Sequence, residues 1–166
     1  MKKSILILSL VFWFAGFVQA QVIKGNFAIK NVQTGMLLRV KDASGKNGTP
    51  LVAYDPQNWK CMTWDFRNID GNTYQLRNLF TNKTFQPKKE VDAKINLEEQ
   101  PLVLGDANQQ YEFIPVERAY LIKLKGTDLY LTPEDKKGST NSNIILAKKT
   151  NSKDQYWTIY EQSPTM

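Results

Sequence analysis

Histidine is absent from this chain, and cysteine occurs once. Without histidine there is no Ser-His-Asp or Cys-His relay and no imidazole for the common zinc sites. With Cys61 alone there is no internal disulfide, so the core must hold the fold by itself. Cys61 stands close to Met62 and Trp64, which suits a small buried apolar residue better than a reactive thiol. Concentrated charge is also lacking. The formal net charge is +6, yet the pairs Lys88-Lys89 and Lys148-Lys149 have Glu90 and Asp154 nearby. A nucleic-acid surface gathers its cations into a stripe; none is visible, so nucleic acid is not an expected partner. With no nucleophile motif and no metal constellation, no catalytic residue, metal ligand or cofactor is assigned. Helical periodicity is weak beyond the N-terminal segment. Val91 to Gln100 is the one stretch expected to hold a helical turn.

A single long apolar run is present. Ile5 to Val18 follows Lys2 and Lys3, and its fourteen residues are too few to span a bilayer comfortably. Val18-Gln19-Ala20 then places small residues at −3 and −1 before Gln21. A positive start, an apolar run and a small-residue site together read as a cleavable secretory signal. Residues 1–20 are therefore expected to be a signal peptide and 21–166 the domain. The product would be secreted or periplasmic, with no membrane insertion after cleavage. No cysteine sits at the cleavage point to carry a lipid anchor. Losing Lys2 and Lys3 lowers the net charge from +6 to +4, a mild basicity that serves solubility.

The remaining sequence repeats itself. Shifts of 47 and then 46 align Phe27 with Tyr74 and Tyr120, Ile29 with Leu76 and Ile122, and Lys30 with Arg77 and Lys123. The same register aligns Thr34 with Thr81 and Thr127, and Leu38 with Phe85 and Leu131. It also aligns Trp64 with Tyr111 and Trp157, and Phe66 with Phe113 and Ile159. Phe27-x-Ile29 and Trp64-x-Phe66 alternate with the strand period of two. Thr34-Gly35, Thr81-Asn82 and Thr127-Asp128 fall between strand-like runs, where Gly, Asn and Asp tolerate a left-handed turn. Each repeat thus predicts four strands, with boundaries near 21–67, 68–115 and 116–162. One such unit cannot bury its apolar face alone. Three around a pseudo-threefold axis close a barrel and share one core. The expected fold class is all-β, a β-trefoil of three four-stranded repeats.

Gln155-Tyr156-Trp157 matches the Gln-x-Trp motif of ricin-type lectin repeats. Gln109-Gln110-Tyr111 and Met62-Thr63-Trp64 are its variants in the other two repeats. In the first repeat Thr34-Gly35, Leu37-Leu38-Arg39-Val40 and Gly48-Thr49-Pro50-Leu51-Val52-Ala53-Tyr54 also resemble the family. From Gln21 to Tyr160 the chain therefore resembles a divergent ricin-type (R-type) lectin β-trefoil. The resemblance implies that the motif glutamines Gln109 and Gln155 are structural. It also implies that a sugar-binding repeat carries an Asp just after the second strand's Leu, and an aromatic for the sugar's apolar face. Arg39, Gln86 and Thr132 occupy the Asp position here, so the acid is missing in every repeat. Tyr54 matches the aromatic in the first repeat. The second repeat offers Leu102-Val103-Leu104-Gly105 and the third Ala147.

The first repeat is accordingly the expected site. Tyr54 and Trp59 supply flat amphipathic faces. Arg39 supplies a fork suited to a carboxylate or sulfate, such as that of an acidic sugar. Asp42 stands in for the lost acid, and Asn58 adds a polar contact. The expected function is a secreted, non-catalytic carbohydrate-binding module with a shallow sugar site in that repeat. The alternative is a β-trefoil that has lost sugar binding and serves as a protein-binding adaptor or inhibitor.

Overall fold

The structure is a computed structural model, which describes residues 22–165. The leader read as a signal peptide lies outside the described residues. Twelve strands follow in order: β1 (Gly25–Asn31), β2 (Leu37–Val40), β3 (Leu51–Tyr54), β4 (Trp64–Asp70), β5 (Thr73–Asn78), β6 (Thr84–Pro87), β7 (Ile95–Gln100), β8 (Tyr111–Val116), β9 (Ala119–Leu124), β10 (Leu129–Pro133), β11 (Ile144–Lys148) and β12 (Tyr156–Glu161). Short 3-10 turns precede β4, β8 and β12 and follow β2. The all-β trefoil expected from the repeats is the observed architecture.

Six strands close the barrel. β1 pairs with β4, β4 with β5, β5 with β8, β8 with β9, β9 with β12, and β12 returns to β1, all antiparallel. The ring has no free edge, which removes the usual template for aggregation. The hairpins β2–β3, β6–β7 and β10–β11 cap one end. They touch one another in a triangle through Pro50↔Glu98, Ile145↔Asn96 and Val52↔Asn143.

The repeated residues fill the centre. Ile29, Leu76 and Ile122 are fully buried, as are Leu38, Phe85 and Leu131. The motif aromatics anchor each hairpin to the barrel in the same way. Trp64 Nε1 donates to the Leu38 carbonyl at 3.2 Å, Tyr111 Oη to that of Phe85 at 3.2 Å, and Trp157 Nε1 to that of Leu131 at 3.0 Å. One chemical interaction thus recurs three times although Tyr replaces Trp in the second repeat. Each buried indole or phenol keeps its donor satisfied, which burial of a polar group requires.

Three local expectations need correction. Val91–Gln100 holds no helix; Ile95–Gln100 is strand β7. Alternate residues Leu97 and Glu99 are buried there, and the strand pairs with β6 from Thr84↔Gln100 to Pro87↔Leu97. The third turn also differs. Gly35 and Asn82 take the left-handed conformation, but in the third turn Gly126 takes it and Asp128 does not. Finally, pairing identifies the second-repeat counterpart of Tyr54 as Gln100 rather than Leu102–Gly105. Tyr54 faces Leu37, Ala147 faces Tyr130 and Gln100 faces Thr84. The second repeat is one residue shorter between its paired positions than the other two.

Candidate functional site

Strand β2 sets the geometry by simple alternation. Leu38 and Val40 turn into the barrel core, while Leu37 joins a smaller apolar cluster with Ala28, Cys61 and Met62. Arg39 lies on the Leu37 side, opposite Val52 and diagonal to Tyr54 on β3. That diagonal spacing is within reach of long side chains. The Arg39 carbon Cζ sits 4.0 Å from the centre of the Tyr54 ring and 5.8 Å from that of Trp59. The two rings are 6.1 Å apart and inclined at 40°. Trp59 is held by its own carbonyl, which accepts from Met62 N at 3.0 Å and Thr63 Oγ1 at 2.9 Å.

Arg39 is only 8% exposed, and its Nε is buried without a hydrogen-bond partner. Among the described residues it makes no salt bridge. The cation is therefore held by aromatic faces alone, an arrangement worth about 0.5–2 kcal/mol per good contact. Beside it lies a cavity of about 280 Å³ lined by Arg39, Ala43, Trp59, Lys60, Cys61 and Phe80. Two cations and no carboxylate line it. Phe80 comes from the β5–β6 turn of the second repeat and is 49% exposed; sequence reasoning confined to the first repeat missed it. Cys61 is a buried free thiol at the cavity wall.

The structure brings Arg39, Tyr54 and Trp59 together and leaves Asp42 and Asn58 apart. Asp42 is exposed on the adjoining turn and makes no ion pair with Arg39. It and Ala43 both take left-handed backbone, with φ of 54° and 50°. For Ala43 that conformation is strained, and Ala43 borders the cavity. Asn58 is exposed and donates weakly to the Ser163 carbonyl at 3.4 Å, in a separate groove shared with Tyr160 and Gln162.

The other two repeats use the Arg39 position differently. Gln109 Nε2 donates to Gln86 Oε1 at 2.9 Å and to the Pro101 carbonyl at 2.9 Å. Its Oε1 accepts from Val103 N at 2.8 Å and Gln75 Nε2 at 3.0 Å. Gln155 repeats the pattern, donating to Thr132 Oγ1 at 3.0 Å and the Lys148 carbonyl at 2.9 Å and accepting from Thr150 N at 2.7 Å. Both motif glutamines thus tie the residue equivalent to Arg39 into the scaffold. In the first repeat Met62 replaces the glutamine and Arg39 the acceptor, so this tie does not exist.

A family model described as ricin-type beta-trefoil lectin domain-like matches residues 13–93. The structure superposes on the designed threefold-symmetric protein ThreeFoil with a TM-score of 0.79 and 18% identity, covering 82% of this chain and 99% of that one. The chain is a β-trefoil, and its first half resembles a ricin-type lectin domain. It resembles the Rhizoctonia solani agglutinin with a TM-score of 0.77 and 14% identity, covering 86% and 98% of the two chains. It also resembles the Macrolepiota procera ricin B-like lectin, solved with lactose, with a TM-score of 0.70 and 19% identity over 84% and 98%. A comparison with curated proteins finds no match by sequence.

Within this trefoil the third repeat holds a second hollow that sequence reasoning missed. A cavity of about 370 Å³ is bordered by Thr132, Ala147, Lys136, Glu134, Lys94 and Asp154. Asp154 is fully buried, and its Oδ2 lies 2.7 Å from Lys136 Nζ. Burial pushes its carboxyl up, but the hydrogen bonds from Lys136, Ser152 and Thr150 outweigh that and hold it below the ordinary 3.8. This acid already has a cation, and no aromatic lines the hollow. Among the described residues no group of three or more His, Cys, Asp or Glu could hold a metal ion.

Proposed function

We propose that this trefoil is an exported, non-catalytic carbohydrate-binding module whose sugar site is the first-repeat hollow beside Arg39, Tyr54 and Trp59. The observation that carries the reading is the release of Arg39 from the scaffold. Its counterparts Gln86 and Thr132 are bonded to motif glutamines, whereas Arg39 has no partner and borders an open cavity. A cation and two aromatics suit binding; the Cys61 thiol on the wall is buried, and no carboxylate or histidine lines the hollow to take its proton. The family's sugar-binding lectins support a carbohydrate ligand, and Trp59 and Phe80 supply flat surfaces for its apolar face. The apolar leader and Val18-Gln19-Ala20 support export to the periplasm or beyond.

At about 280 Å³ the hollow lies just below the usual range of ligand pockets, about 300 to 1,000 Å³, so it suits no more than one sugar unit. Monovalent binding near millimolar, about 4 kcal/mol, is expected. A glycan array that includes acidic glycans tests the reading, with Tyr54→Ala as control. Specific glycans retained by the parent chain and lost by the variant support it. An array with no signal above the variant refutes it. One feature favours a protein partner as the second reading. Val103 and Leu104 form an apolar tip, 53% and 77% exposed, whose backbone is fixed by Gln109 and Gln75.

A further inference from the structure

We infer that the first-repeat hollow selects a sugar bearing a carboxylate, a hexuronic acid being the simplest case; this rests on the carbohydrate reading above. Two positions of the first repeat, 39 and 62, have changed together. Where the motif residue is Gln109 or Gln155, its amide donates to an acceptor at the Arg39 position. An arginine there accepts nothing, so a glutamine at position 62 would lose one of the two acceptors that its amide meets in each of the other repeats. Met62 removes that mismatch while filling the same buried space. The two departures from the motif are one adaptation: an acceptor belonging to the scaffold has become a cation that the scaffold does not use.

The surroundings fit that reading. An arginine residue more than nine-tenths buried normally has a carboxylate or a set of carbonyls around its charged end. This one has aromatic rings and an unpartnered Nε. Nε is the one Arg39 nitrogen both buried and unpaired, so the Nη groups are the part that reaches solvent. Lys60 adds a second positive charge at the rim, and no acid lines the hollow. An anion entering it gains charge-assisted bonds without displacing an internal partner. The flat fork, stacked on Tyr54, matches a planar carboxylate better than a tetrahedral sulfate. Trp59 and Phe80 remain for the C–H face of the ring. A neutral sugar leaves the cation as unpaired as before.

The test is a titration of the full chain followed by the Trp59 indole N–H and the Phe80 amide in two-dimensional NMR. The probes are D-galacturonate and D-glucuronate, their neutral counterparts D-galactose and D-glucose, and galactose 6-sulfate. At least one uronate is expected to bind at least tenfold more tightly than its neutral counterpart, and to weaken as NaCl is raised. The variant Arg39→Gln/Met62→Gln rebuilds the second repeat's Gln86–Gln109 pair, so it retains a scaffold bond while losing the cation; a melting curve checks its fold. It is expected to lose the uronate preference, and Arg39→Lys to keep part of it. Equal binding of uronate and neutral sugar overturns the inference but leaves the carbohydrate reading standing. Equal binding of galactose 6-sulfate overturns the choice of carboxylate. A double variant that binds uronate as the parent does overturns the role of Arg39. No response to any of the sugars overturns both readings.

Discussion

Replacing Gln109 by Met gives the second repeat the residue that the first repeat carries naturally. Gln109 is 1% exposed and makes four hydrogen bonds, two given and two accepted. Methionine preserves the apolar volume and removes all four. Two of the abandoned groups lie on the loop before β8, where water can enter: the Pro101 carbonyl and the Val103 N–H. Gln75 keeps its second bond, to the Val103 carbonyl at 2.9 Å. Gln86 Oε1 loses its donor on a half-buried side chain. An orphaned buried group costs about 1–3 kcal/mol, and water recovers part of that near the surface. The net loss is then about 3 kcal/mol, which lowers Tm by on the order of 10 °C in a domain of this size. Urea unfolding and calorimetry measure it directly. Met62→Gln is the converse control, placing a donor where Arg39 cannot accept, and it should bring no gain in stability. A Gln109→Met variant that melts with the parent refutes the structural role of the motif glutamine. It would also refute the contrast that sets Arg39 apart.

Two further outcomes follow from the core. Glu99 is fully buried, with Oε1 taking the Thr81 hydroxyl and Oε2 unpaired among the described residues. Burial raises its carboxyl above the ordinary 4.5, against the lowering effects of Thr81 and Lys83. A raised folded-state value means stability present below about pH 4.5 and lost as pH rises through the folded value. Glu99→Gln should therefore stabilise the protein at pH 7, with the advantage shrinking towards pH 4; a constant difference in urea midpoint across that range contradicts the assignment. Trp157→Ala removes a side chain 1% exposed and orphans the Leu131 carbonyl, and should cost about 3–5 kcal/mol; unchanged melting refutes its place in the core.

Much of the fold is legible in the sequence because the core is chemically repetitive. Ile29, Leu76 and Ile122 answer to one position on one barrel, and their spacing survives because the six barrel strands tolerate few insertions. The hairpins are freer. Strand β7 was obscured because Glu98 and Glu99 look like solvated charges, yet Glu99 occupies the slot filled by Ala53 and Leu146 elsewhere. The second repeat's counterpart of Tyr54 was hidden by a one-residue deletion. Asn31 and Asn78 hold their turns through Oδ1, accepting from the Thr34 and Thr81 amides at 3.0 and 3.3 Å. The repeat register aligns them, although Leu124 breaks the third copy.

The candidate site was legible in part. Arg39, Tyr54 and Trp59 share a sequence neighbourhood and a cluster. Asp42 and Asn58 share only the neighbourhood: proximity in sequence does not fix direction on a turn, and Asn58 faces the C-terminal segment. The isolation of Arg39 could not be read from one repeat, because it depends on what Met62 fails to donate across the hairpin. Phe80 was out of view because the hollow is completed by the next repeat.

The central claim is that the scaffold is threefold while the binding site is single. The most direct measurement maps backbone amide shifts on the isotopically labelled full chain, saturated with the tightest glycan found on the array. The account predicts shifts at Ala43, Trp59 to Cys61 and Phe80, with Thr132, Ala147 and Asp154 unmoved. Shifts confined to the third-repeat hollow, with the Arg39 cluster silent, would contradict it.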